Sequence, residues 1–372
     1  MMGEFMKSKL IKTLPYVFGG LIGVILGING FYVDIEGVVI TGLSIIVVAI
    51  IEILIFAVIH ELSHGFIAEK NGLKFSVLYV GPFAFKREKN RFKIIKGISM
   101  QQTYVGRAQI DNFEILDEND IEKARKAWIK ALQAGPLSDL VLSIIAICLG
   151  LIFKSQILVI STMIVSLFMC IPSYIIGDGS HIKSMKKDKI FTHVILYTYS
   201  IIGNTPISNE SKMFLLGKVE KDIVENEVNK DNLITLSLSA HSIYMDVIYN
   251  NIKTLPEKIN KIVEMTIENK EIFYKKEIEA SYYRNLINTA IMYETLVKDN
   301  KEKALELYKY VKNEKHNMPG EMLDFYRIEH ILGISNRKGE ILNENLMNPV
   351  LKGCEGVEAM ERRINELILE KY

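Results

Sequence analysis

Apolar runs dominate the first half of the chain and then stop. Four stretches are long and apolar enough to cross a bilayer, which takes about 20 residues: residues 14–33, 38 to about 68, 132–153 and 157–176. The apolar run 190–202 is too short to span and predicts a buried or interfacial helix. Between the second and third spans the period changes. The stretch Lys74-Phe75-Ser76-Val77-Leu78-Tyr79-Val80 alternates loosely, and Gly81-Pro82 and Glu88-Lys89-Asn90-Arg91 punctuate it. Residues 92–98 and 103–110 continue in the same manner, which predicts short strands and hairpins. Residues 117–130 then predict a polar helix leading into the third span. From Ser208 to Tyr372 the pattern is amphipathic helix. The pair 280–297 and 301–312, separated by Lys298-Asp299-Asn300, is loosely like a tetratricopeptide hairpin, but no regular repeat follows. The fold class expected is a multi-span α-helical membrane protein with about four transmembrane helices, short strands after the second, and a C-terminal all-α soluble domain.

Charge orients the spans. The link between the first two spans carries Asp34 and Glu36 with no Lys or Arg, and that between the last two carries only Lys154. Residues 69–130 are dense in cations, from Lys70 and Lys74 through Lys86 and Arg87 to Lys130, and Lys183, Lys186, Lys187 and Lys189 follow the fourth span. By the positive-inside rule both basic segments and both termini are expected to be cytoplasmic in a multi-pass protein of the cell membrane. Lys7, Lys9 and Lys12 precede the first apolar run without a clean small-x-small cleavage site, so that run is read as a retained anchor. Its Gly19, Gly23 and Gly27 form a stripe that admits a close-packed helix.

Overall composition adds exclusions. The 372 residues are 49% hydrophobic and 24% charged, with 45 Lys and Arg against 44 Asp and Glu. A net charge of +1 without a long basic block argues against nucleic acid as a partner. The three cysteines, Cys148, Cys170 and Cys354, form no CxxC pair, so neither a disulfide framework nor a cysteine zinc knuckle is implied.

The strongest chemical signal is His60-Glu61-Leu62-Ser63-His64 in the second span. On a helix the two histidines lie one turn apart on one face, so both imidazoles can meet one Zn2+, with Glu61 projecting toward a water activated there. Two histidines and a glutamate at the end of an apolar span are costly in lipid and point to a function. Hydrolytic zinc sites take three protein ligands, and Asp178 lies at a matching depth just past the fourth span. Zinc follows from ligand type, and another divalent metal would also suit two histidines and a carboxylate.

This H-E-x-x-H, the Ala134-Gly135-Pro136-Leu137-Ser138-Asp139 turn, and Pro172 followed by Asp178-Gly179 together resemble the site-2 protease family of intramembrane zinc metalloproteases. The likeness covers about residues 38–182. It implies a three-helix catalytic core, metal binding by His60, His64 and Asp178, and proton transfer by Glu61. The chain then divides into an anchor helix over 1–37, an intramembrane metalloprotease core over 38–189 and a cytoplasmic helical domain over 190–372. The family usually shows Asn where Asp139 stands, and Asn near Met169 or Cys170; the gap from Pro172 to Asp178 is also slightly long. These departures leave the metal ligands intact and bear on substrate positioning.

The implied activity is zinc-assisted hydrolysis of peptide bonds in or near transmembrane segments. The partners are the lipid bilayer, a membrane protein or membrane-anchored peptide as substrate, and a protein bound by the C-terminal helices. Because a membrane helix hides its backbone, a substrate must unwind, and the strands after the H-E-x-x-H helix can hold it extended by edge pairing. The alternative is a catalytically silent membrane scaffold whose cytoplasmic helices bind partners; it would have no need of Glu61. A metal transporter ranks last, since paired ionisable residues across several spans are missing. Glu52, eight residues before His60, either lines the same cavity or is a protonated glutamate facing the helix bundle. His181 is read as a surface group or a hydrogen-bond partner behind the ligands, and His193, His241, His316 and His330 are assigned no metal.

Overall fold

The computed structural model describes residues 35–81, 83–88, 91–95, 104–175, 177–250, 252, 255–316, 319–341 and 355–372. The expected first span over 14–33, its glycine stripe, Cys354 and the strand ends over 96–98 and at 103 lie outside these residues.

Three long apolar helices frame the site. Helix α1 (Ile35–Lys70) and α2 (Glu118–Ile152) pack on each other and on α3 (Gln156–Ile175), which is followed closely by α4 (Asp178–Lys187). Among the described residues three segments are long and apolar enough to cross a membrane: Ile40–Lys70, Glu118–Ile152 and Gln156–Lys187. Their outer faces are bare hydrocarbon, with Leu43, Val47, Ile50 and Leu54 of α1 and Leu140, Ile144 and Leu151 of α2 all exposed, a surface suited to lipid rather than water. The polar helix expected before the third span is the first part of α2 itself. Asp117 caps it, accepting from the Asp120 amide at 2.8 Å, and the helix runs unbroken through Pro136.

The expected strands form one antiparallel sheet. Strands β1 (Lys74–Gly81), β2 (Phe83–Glu88), β3 (Arg91–Ile94) and β4 (Tyr104–Asp111) lie in the order β3-β2-β1-β4. The loose alternation of β1 has a physical cause: both of its faces are covered. Leu78 and Val80 pack on Ala57 of α1, whereas Val77 and Tyr79 pack with Ala84 and Val357. A bulge between Phe75 and Val77 turns Phe75 onto the α1 face out of the period-two order.

The remaining helices are α5 (Lys189–Ile202), α6 (Asn209–Glu225), α7 (Leu233–Asn250), α8 (Lys258–Glu268), α9 (Lys270–Phe273), α10 (Glu277–Leu296), α11 (Lys301–Tyr308), α12 (Pro319–Ile331), α13 (Lys338–Ile341) and α14 (Glu355–Lys371). The short apolar run is α5, buried through Phe191, Val194, Leu196 and Tyr197. Helices α10 and α11 form the expected hairpin, with Asp299 at positive φ in the turn and Asn300 capping α11. One hydrophobic core runs from Leu73, Ile110 and Trp128 through Leu196 and Leu236 to Ile368. Polar staples reinforce it where β4 ends. Buried Asp111 accepts from the amides of Asn204 and Thr205, Asn112 donates to the Leu196 carbonyl, and Trp128 Nε1 donates to Asn112.

Burial also makes this helical portion acid-sensitive. His241 on α7 sits 3.2 Å from Thr289 Oγ1 of α10, and desolvation holds its imidazole down to about 4, from an ordinary 6.5. Between these values the unfolded chain binds a proton that the folded chain refuses, so stability is present above about 6.5 and is lost as pH falls toward 4. Wild type is expected to lose about 2 kcal/mol more than His241→Asn between pH 7 and pH 5, read from thermal unfolding in detergent. Parallel pH profiles for the two proteins would refute this.

Candidate metal centre

His60, Glu61 and His64 lie on the buried side of α1, each less than a tenth exposed. The i, i+4 spacing brings the two rings edge to face, 4.6 Å between centroids and 83° apart. Each ring is anchored to α2 through Nδ1. His60 Nδ1 is 2.8 Å from Asp139 Oδ2, and His64 Nδ1 is 2.7 Å from the Ala131 carbonyl. A carbonyl and a carboxylate can only accept, so both Nδ1 atoms carry hydrogen, and in the neutral rings both Nε2 atoms present lone pairs. These lone pairs face each other at 3.0 Å. Asp178 Oδ2, from the first turn of α4, stands 3.3 Å from His60 Nε2 and 3.4 Å from His64 Nε2, and accepts from Ser173 Oγ at 2.9 Å.

With both rings neutral, three electron-rich atoms converge here. That arrangement repels itself unless a proton or a metal cation lies among them. The spacing suits zinc: bonds of about 2.0–2.1 Å at tetrahedral angles set ligand atoms about 3.3 Å apart and leave a fourth position for water. Among the described residues this trio is the one group of three His, Cys, Asp or Glu side chains placed to hold a metal.

The protein backbone shapes the rest of the pocket. A Cβ on Gly135 would fall 2.4 Å from His64 Nε2 and 2.5 Å from His60 Nε2, so α2 backs directly onto the ligand atoms. A Cβ on Gly106 would fall 2.6 Å from Glu61 Cγ and 2.7 Å from its Oε1, which sets strand β4 against that carboxylate. Ala131, Gly135 and Asp139 form an i, i+4, i+8 stripe on α2, running antiparallel to His60 and His64. Reading Asp139 only as a departure that bears on substrate positioning misses its contact: it holds His60. Its place in the stripe with Gly135 was the available signal. Gly106 gave none, since it acts across a fold the sequence does not display, and Ser173, five residues before Asp178, stands in no recognisable pattern.

The other residues singled out fall elsewhere. Glu52 is buried and pairs with Thr162 Oγ1 of α3, a contact between helices and not with the ligands. Ring contact with Phe191 occupies His181, and His193 pairs with Asp222 at 2.7 Å. Cys170 Sγ lies 3.7 Å from Ser143 Oγ, and Met169 packs beside Phe75, Leu78 and Val80.

Gly135→Ala would drive a methyl group into the ligand set. The purified variant is expected to bind zinc at least about tenfold more weakly than wild type, measured by metal content against a competing chelator. Wild-type affinity in this variant would mean that α2 yields without cost.

No curated protein and no solved structure matches this chain. A family model does, over residues 48–348: Peptidase family M50, the site-2 protease family. That match takes in the H-E-x-x-H helix, the sheet, Asp178 and most of the later helices. With the apolar helices and the converging His60, His64 and Asp178 already described, it means that the chain belongs to peptidase family M50, a family of membrane-embedded metallopeptidases.

Proposed function

We propose that this protein is an intramembrane zinc endopeptidase that hydrolyses peptide bonds in or near transmembrane segments of membrane proteins. The observation that carries the reading is the convergence of His60 Nε2, His64 Nε2 and Asp178 Oδ2 within 3.4 Å, beside a buried glutamate. His60, His64 and Asp178 hold the metal. Bound there, zinc supplies a Lewis acid that makes water nucleophilic near neutral pH.

Glu61 has the position of the proton carrier. It follows His60 directly, is buried, and is confined by Gly106, so its carboxylate has little room to turn away. It takes a proton from the attacking water and returns it to the leaving amine. A scissile bond must first leave its helix, because helical backbone is closed in intramolecular hydrogen bonds. Strand β4 is the edge of the sheet nearest Glu61 and pairs with β1 on its other side. An unwound substrate pairs with that edge and presents its carbonyl beside Glu61.

The basic segments over 69–130 and 183–189 support an active site toward the cytoplasm, with both termini on that side of the cell membrane. The helices after residue 190 then form a cytoplasmic unit available to a protein partner. Its junction with the sheet is close: Val357 at the start of α14 packs on Val77 and Tyr79, and Lys86 pairs with Glu355.

Purified protein is tested for bound zinc and for cleavage of model transmembrane substrates. Wild type is expected to hold zinc and to cleave. His64→Ala and Asp178→Ala lose the metal, whereas Glu61→Gln keeps it and loses at least about 100-fold in turnover. Zinc-free wild-type protein would sink the protease reading in favour of a membrane scaffold. Gly106→Ala, which presses on Glu61 from β4, is expected to keep its zinc and to lower kcat at least about tenfold. An unchanged kcat would separate β4 from catalysis.

A further inference from the structure

One buried charge is left over when the metal ligands and Glu61 have been assigned. Asp139 is 0% exposed, and its Oδ2 accepts from His60 Nδ1 at 2.8 Å. Its Oδ1 is buried with no hydrogen-bond partner, and no Lys or Arg pairs with it among the described residues. Of Asp139, Ser143 meets the backbone carbonyl and not the carboxylate. A carboxylate with one hydrogen bond and no permanent cation beside it is a poor occupant of an apolar helix interface unless the histidine it faces carries positive charge. An amide of the same shape would accept the same hydrogen bond without that cost.

The hydrogen bond alone therefore does not account for a carboxylate, whereas its charge has one outlet. Asp139 reaches the far side of His60 through the ring: electron density pushed onto Nδ1–H raises the donor strength of Nε2, the atom turned toward His64 and Asp178. A cation held by Nε2 in turn supplies the positive charge that Asp139 lacks. The same contact fixes the tautomer that leaves Nε2 free.

Resting on the metal-site reading above, we propose that Asp139 is a positioning residue whose negative charge, and not merely its hydrogen bond, sets how tightly the centre holds zinc. Its effect on the protein without metal has the opposite sign. There only a proton on His60 can offset the charge, whereas an amide at this position needs none.

The two signs make the test specific. Zinc affinity is measured for the full chain in detergent by competition with a chromophoric chelator, and thermal unfolding is measured for the metal-free forms. Asp139→Asn is expected to bind zinc about 10- to 100-fold more weakly than wild type, while its metal-free form melts at the same temperature or higher. Asp139→Ala, which removes charge and hydrogen bond together, is expected to be at least as weak in binding. If Asp139→Asn matches wild type and only Asp139→Ala is impaired, the hydrogen bond suffices and the proposal is overturned. A metal-free Asp139→Asn that melts well below wild type also overturns it, since the residue is then a structural support. Wild-type protein that takes up no zinc removes the metal-site reading itself, a failure distinct from equal zinc affinities in wild type and Asp139→Asn.

Discussion

Three lone pairs held face to face in a water-poor interior are the constraint from which the arrangement of this protein follows. His60 Nε2, His64 Nε2 and Asp178 Oδ2 would drift apart if their side chains were free. They are not free, because each histidine is tethered at Nδ1 to α2 and Asp178 is steadied by Ser173. The tethers set a register between two antiparallel helices: His60 against Asp139, His64 against Ala131. Midway between these two contacts the backbones must approach too closely for any side chain, and Gly135 stands there. Lipid gives helices no hydrophobic reason to associate, so small residues and polar contacts of this kind hold α1 on α2. The serines and threonines farther along do the same work, with Ser166 donating to Ser143, and Thr162 meeting Glu52.

What was readable in the sequence follows from range. Composition alone displayed the apolar spans, since an unbroken run of apolar side chains has one stable setting. The helical pitch placed His60 and His64 on one face, and depth then selected Asp178. The amphipathic period likewise marked out the later helices, of which the α10–α11 hairpin is the clearest. Strands were visible more faintly. β1 lacks clean alternation because α1 covers one face and Val357 the other, and the bulge before Val77 shifts Phe75 across. Strand order was not legible at all. That β4, last in the sequence, lies beside β1 and against Glu61 depends on pairing across some thirty residues.

Asp139 shows a different kind of limit. In one dimension it is a residue that departs from a resembled pattern, and the natural question is what was lost. In three dimensions it is the hydrogen-bond acceptor of a ligand histidine. The periodicity needed to find this was present, since Ala131, Gly135 and Asp139 are spaced by four. The partner face was not, because nothing in a lone sequence says which stripe of α2 meets which stripe of α1.

Strand β4 joins the two environments of the molecule. At one end Gly106 touches Glu61 inside the helix bundle, and five residues later Asp111 takes the amides of Asn204 and Thr205 in the loop between α5 and α6. The first contact is steric and lies in an apolar layer. The second is a carboxylate holding backbone donors beside the water-facing helices. An extended strand has little slack over that length, about 3.4 Å per residue, so the two ends cannot move independently. The metal ligands are fixed by different means, through α1, α2 and α4. On the proposed reading, proton transfer and metal retention depend on separate parts of the fold, and the later helices are tied to the first of them.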